Sequence, residues 1–256
     1  MNRKGELTTQ QIVGLIILIA SFAIILILIF RLDLRETTNK EICHNSVILK
    51  SKSLVGGELD CRTSYVCISG GGECEGINPT ETVEIDMKGT EEEIKNRTMK
   101  SIADEMADCW WMFGEGKVDY VDKGLGYNCA ICSIVKFDSL IYNNKNLAID
   151  YQKFYEYLEK EQKDSTQTYL KYFYGVFDVN SFKEEIQKQS GINVGSDPIL
   201  FNERFSIVTG SLYNLGAKND KFLPVYFVRS DAIVTQLDTS IFSEQINCKS
   251  FDITKA

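Results

Sequence analysis

The sequence predicts an α+β domain with a mainly antiparallel sheet, preceded by one transmembrane α-helix. Three observations carry this expectation: an uncharged apolar run near the N-terminus, eight cysteines that all lie beyond that run, and helix-spaced segments interspersed with strand-like ones in the remainder. Interspersed elements of both types with connections of varied length favour α+β over a doubly wound fold. The expected order is a short cytoplasmic tail over residues 1–11, a transmembrane helix over 12–30, a juxtamembrane segment over 31–42 and an extracytoplasmic domain over 43–256.

Residues 12–30 read IVGLIILIASFAIILILIF, nineteen residues without a charge. At about 1.5 Å per residue such a helix nearly crosses a hydrocarbon core of roughly 30 Å. It is apolar all round and has no polar face to show to water, so membrane lipid is its expected partner. A cleaved secretory peptide fits less well. The run exceeds the usual ~7–15-residue apolar core, and no small-x-small site precedes Arg31-Leu32-Asp33-Leu34-Arg35. Basic residues stand on both sides, Arg3 and Lys4 before and Arg31 and Arg35 after. The cysteine-bearing domain therefore decides the orientation: a single-pass protein of the cell membrane, N-terminus cytoplasmic, C-terminal domain outside.

The cysteines are Cys43, Cys61, Cys67, Cys74, Cys109, Cys129, Cys132 and Cys248. An even number outside the cytoplasm reads as a disulfide framework, and eight cysteines allow 105 pairings. Zinc is the rival. Cys129-Ala-Ile-Cys132 has ligand spacing, but a second C-x2-C is lacking, and Cys61-x5-Cys67-x6-Cys74 does not match a zinc ribbon. Gly70-Gly71-Gly72 permits a tight reversal after an extended segment, so Cys67 and Cys74 are expected to staple a hairpin. Residues 130–138, AICSIVKFD, have strand composition. In a strand, residues three apart face opposite ways, which keeps Cys129 from bonding Cys132.

Thr90-Glu91-Glu92-Glu93 has the capping-box pattern, and Ile94, Thr98, Ile102 and Met106 recur at helical spacing, so a helix is expected over about 91–113. Its end, Cys109-Trp110-Trp111-Met112-Phe113-Gly114, holds both tryptophans. Trp110, Trp111 and Phe113 are candidates for an aromatic binding platform, or else anchor the core while Cys109 ties the helix to the sheet near Cys129 or Cys132. Residues 46–50 and 83–87 look like strands. Asp150 caps an expected helix reaching about Gln162, with Tyr151, Phe154, Tyr155 and Leu158 on one face. Residues 169–177 suit helix or strand, 181–190 a short helix, and 205–208 and 222–228 two late strands.

Ahead of the apolar run stands Arg3-Lys4-Gly5-Glu6-Leu7-Thr8-Thr9-Gln10. This resembles the class III signal of type IV pilin-like proteins in its archaeal form, where a basic segment ends in Gly and a Q-x-S-x-E-like stretch follows. Glu6, Thr8 and Gln10 take those three places, and Gly14 stands where that family has Leu. The resemblance implies peptidase cleavage between Gly5 and Glu6. AICSIVKFD together with CWWMFGEG is similar to uncharacterised membrane-anchored proteins of small-genome archaea, which implies a source but no activity.

From Glu36 onward the chain holds 24 bases and 34 acids, a formal charge of -10, with no Lys/Arg stripe, which excludes nucleic acid as a partner. His44 is the only histidine, so His-pair metal sites are excluded and a Ser-His-Asp triad would have to use this residue. No phosphate-loop, dinucleotide or zinc-protease motif occurs. Asp104/Glu105 and Glu184/Glu185 read as solvated helix faces, and Asn96-Arg97-Thr98 is a glycosylation sequon. No catalytic, cofactor-binding or metal residue is singled out. The reading is a non-enzymatic envelope protein that presents its domain to an envelope protein partner for binding, adhesion or assembly. The alternative is an extracytoplasmic enzyme, a thiol-disulfide oxidoreductase using Cys129 and Cys132 or a hydrolase.

Overall fold

The first strong local signal, Thr90 with Glu93, starts the longest helix of the domain. Glu93 N–H donates to Thr90 Oγ1 at 3.3 Å and Thr90 N–H to Glu93 Oε2 at 2.7 Å, a closed capping box. The computed structural model describes residues 9–31, 38–52, 59–118, 120, 126–190, 197–213, 221–235, 246–248 and 254–255. The helices are α1 (Thr9–Arg31), α2 (Thr38–Lys52), α3 (Glu91–Met112), α4 (Ser139–Tyr142), α5 (Tyr151–Lys160), α6 (Tyr169–Tyr174) and α7 (Val179–Ser190). The strands are β1 (Cys61–Arg62), β2 (Ser64–Ser69), β3 (Glu81–Glu84), β4 (Gly126–Phe137), β5 (Phe205–Tyr213), β6 (Lys221–Arg229), β7 (Ile233–Thr235), β8 (Ile246–Cys248) and β9 (Thr254–Lys255). Two units result, Met1–Glu41 and Ile42–Ala256.

The α+β expectation stands, but the fold differs from it in two respects. The central sheet runs β3-β2-β4-β5-β6 and is mixed rather than mainly antiparallel: β2 pairs in parallel with β3 and β4, while β4–β5 and β5–β6 are antiparallel. The cause is α3. It carries the chain from β3 across β2 to β4, and a helical crossover returns a strand in the same direction. Second, among the described residues no helix is long and apolar enough to cross a membrane, so the expected transmembrane helix is withdrawn from the fold. The apolar run does form part of α1, and its residues 12–25 are all exposed.

Three local expectations are also corrected. Residues 46–50 lie in α2 and not in a strand, because Cys43 and Val47, four apart, are both buried and need one helical face. The third strand is β3, Glu81–Glu84, rather than 83–87. Cys67 and Cys74 are bonded as expected, but they staple a loop between parallel strands and not a hairpin.

The core is aromatic. Phe205 stacks on Phe227 with centroids 4.6 Å apart, Phe154 meets Phe227 at 6.1 Å, and Phe182 sits between Tyr155 and Tyr174. Phe154, Phe205 and Phe227 are essentially inaccessible, and each such burial stabilises by roughly 1.5–3 kcal/mol. α3 packs against β4, β5 and β6, and α5 and α6 pack against α3. At Cys132 the β4–β5 register slips by one residue, a bulge that leaves Cys132 unpaired in the ladder, and Cys132 is bonded to Cys109 at the end of α3. Pro224 lies in β6 at the sheet edge, where a second register shift occurs. That is where a residue without an N–H is tolerated.

The capping box gives a direct test. Thr90→Ala is expected to cost about 1 kcal/mol and to lower the melting temperature by about 2–4 °C, read by circular dichroism. No change would mean that α3 does not depend on its cap.

Candidate functional site

α3 presents Glu92, Lys95, Asn96 and Met99 on one face, spaced at 3, 4 and 7 residues. α5 presents Lys153, Glu156, Tyr157 and Lys160 at the same spacing, and the two faces wall a cleft of about 330 Å³ that Ile149 and Glu161 complete. Its floor is Met99, Ile149 and Tyr157, all buried, and its rim alternates in charge. α5 is held in place by Asp150, whose carboxylate accepts from Lys153 N–H at 2.7 Å. Some rim groups are committed. Lys95 Nζ is 2.6 Å from Glu91, and Gln152 donates to Glu156 at 3.0 Å. Glu92, Lys160 and Glu161 make no ion pair with the described residues.

Tyr157 is 8% exposed, and among the described residues its hydroxyl has no hydrogen-bond partner. Burial, reinforced by the Glu161 and Asp104 carboxylates, pushes the phenol pKa well up, so Tyr157 stays a neutral donor at any physiological pH. Next to it, the Tyr169 hydroxyl donates to Asp104, which also holds Lys100 at 2.6 Å. A small cleft with an apolar floor and a few convergent polar groups is the usual form of a small-molecule site.

The aromatic cluster at the end of α3 is no exposed platform. Trp110 and Phe113 are buried, and Trp111 is half-buried under His44, rings 4.1 Å apart and 9° from parallel. His44 Nδ1 lies 2.7 Å from the Trp111 carbonyl. A carbonyl only accepts, so Nδ1 carries the proton. The helix ends in a turn of three left-handed residues, Gly114, Glu115 and Gly116, with φ of 75°, 56° and 66°. Glu115 is the only non-glycine residue with positive φ among those described. Its carboxylate accepts from Tyr172 at 2.7 Å and from Lys117. Burial alone would raise its pKa, but those two hydrogen bonds together with the charge of the Lys117 ammonium outweigh it and hold the carboxyl below the usual range.

The triple glycine has a purpose that sequence reading missed. Asp138, fully buried between β4 and α4, accepts through Oδ2 from Gly70 N–H at 2.9 Å, Gly72 N–H at 2.7 Å and the Ser69 hydroxyl at 3.0 Å. Through Oδ1 it accepts from Ile141 N–H at 3.0 Å. A Cβ on Gly72 would lie 2.9 Å from that carboxylate, so the close approach demands glycine. The backbone donors that could cradle a phosphate are thus occupied by the protein's own anion, and the loop is structural.

The cysteines are likewise structural. Cys43–Cys61, Cys67–Cys74 and Cys109–Cys132 are bridged, each at a junction between elements, and Cys129 is disulfide-bonded as well. Cys129 and Cys132 therefore do not form a reactive pair. Cys248 lies in β8, with its side chain outside the described residues. Gly5 and Glu6 also lie outside them. Among the described residues no cluster of His, Cys, Asp or Glu could hold a metal ion. A cleft of this kind gave no signal in the sequence beyond two polar stripes at helical spacing, which normally mark a solvated face. No protein-family model matches the chain, and neither a curated protein nor a solved structure is significantly similar to it.

Proposed function

We infer that this is a binding protein of the cell envelope, presenting its oxidised α+β domain outside the cytoplasm. The observation that carries this reading is the set of buried bridges Cys43–Cys61, Cys67–Cys74 and Cys109–Cys132, none with a cysteine more than 6% exposed. Such cross-links form and persist in an oxidising compartment. The α3–α5 cleft supplies a recognition surface on a domain made rigid by those links.

The test is alkylation of the extracted protein without reductant, combined with protease added to intact cells. Oxidised cysteines and removal of the domain from outside are the expected results. Free thiols throughout, or a domain digested only after lysis, would place it in the cytoplasm and end this reading.

The resemblance of Arg3-Lys4-Gly5-Glu6 to a class III signal, ahead of the apolar helix α1, favours an assembly role of the pilin kind as a second reading. Peptide mapping that finds Glu6 at the mature N-terminus would support it, and Met1 or Asn2 there would remove it.

A further inference from the structure

We propose that the α3–α5 cleft is a binding site for a short peptide with free termini and an apolar side chain. The proposal deepens the reading of this protein as a binding protein by naming the ligand class of that cleft. Four observations lead to it. The rim carries three ammonium groups, Lys95 and Lys153, which are paired with Glu91 and Asp150, and Lys160, and three carboxylates, Glu92, Glu156 and Glu161. A balanced lining favours a ligand of no net charge that carries both signs, since either sign alone would meet its like on the opposite wall. The groups without an ion pair to the described residues are of both kinds. Lys160 is available to a terminal carboxylate, and Glu92 and Glu161 to a terminal ammonium.

The floor selects further. Met99 and Ile149, 5% and 2% exposed, together with the Tyr157 ring, offer apolar surface and a polarisable thioether to a ligand side chain. The Tyr157 hydroxyl, without a partner in a residue more than nine-tenths buried, can donate to a ligand carbonyl or accept from its amide N–H. A fatty chain would use the floor but not the rim.

Size sets the length. Each helical wall spans eight residues, about 10 Å from first to last. An extended chain covers this with roughly three residues. The volume of about 330 Å³ is at the small end of the ~300–1,000 Å³ typical of small-molecule sites.

The experiment is isothermal titration of the full-length protein in detergent with the tripeptide Ala-Leu-Ala. Its N-acetylated form, its C-amidated form and the neutral disaccharide maltose are titrated in parallel. The free tripeptide should bind, and each blocked form should bind about tenfold more weakly, as expected for loss of one charged hydrogen-bonded contact. Lys160→Glu, on the exposed rim, should weaken the free tripeptide by about tenfold or more but restore nothing to the amidated form. Met99→Trp should abolish binding by filling the floor. If Met99→Trp fails to fold, Lys160→Glu and Tyr157→Phe carry the test, the latter expected to weaken binding several-fold with an unchanged melting temperature. Absence of binding by the free tripeptide, equal binding of the blocked forms, or preference for maltose each overturns the proposal. The envelope reading would survive such a result, because it rests on oxidation state and protease access rather than on this ligand.

Discussion

Replacing Cys109 and Cys132 together by serine should lower the unfolding free energy by about 3 kcal/mol, the chain-entropy contribution of a bridge closing a loop of this size. The two cysteines are 23 residues apart and both are inaccessible to solvent. The bridge joins the last turn of α3 to the bulge in β4, so its loss frees a helix that packs on the sheet and on α5 and α6. Urea denaturation under non-reducing conditions provides the measurement, read as a shift in midpoint at constant slope. A shift worth less than about 0.5 kcal/mol would mean that the junction is held by packing and not by the covalent link.

Asp138→Asn is the second change expected to have a large effect, a loss of about 2–4 kcal/mol. The substitution keeps the volume but replaces an ionised acceptor with an amide, one end of which is a donor facing donors. Four groups converge on that carboxylate, the N–H groups of Gly70, Gly72 and Ile141 and the Ser69 hydroxyl. Hydrogen bonds to a charged group are worth about 1.5–3 kcal/mol, and a buried donor left unpaired costs about as much again. Amide hydrogen exchange separates a local from a global effect. Gly70 and Gly72 should lose protection before the strands do. Exchange unchanged at both glycines would show that the loop holds its shape without the carboxylate.

What the sequence revealed was mostly local. The capping box placed the start of α3 at Glu91, and the phase of Ile94, Thr98, Ile102 and Met106 identified its buried side. Asp150 and the aromatic stripe located α5, and Cys67 with Cys74 could be paired because only a glycine turn separates them. Cys109 at a helix end suggested a tie to the sheet near Cys129 or Cys132, and the structure makes that partner Cys132. The failures were non-local. Parallel pairing of β2 with β4 depends on where α3 carries the chain, 69 residues from Ser64 to its partner Ser133, and no window of sequence records that. The run Val47-Ile48-Leu49 has strand composition, yet helix wins because Cys43 and Val47 must be buried together. Asp138 reads only as the end of a strand-like run, and only the fold makes it the cap of α4 and brings it to a glycine loop 66 residues upstream. The cleft combines two faces that, taken singly, look like surface.

The two borders of the main sheet have one more implication, for crowding. At one border β3 is only four residues long and carries Glu81 and Glu84. At the other, β6 contains Pro224 and a shifted register. Short length, like charge and a missing N–H each discourage an incoming strand, because two copies laid side by side would face repulsion at one border and an interrupted ladder at the other. At high local concentration such molecules meet each other constantly. A sheet bordered in this way resists runaway growth into fibres, so any ordered array of these chains has to be built through helices and loops.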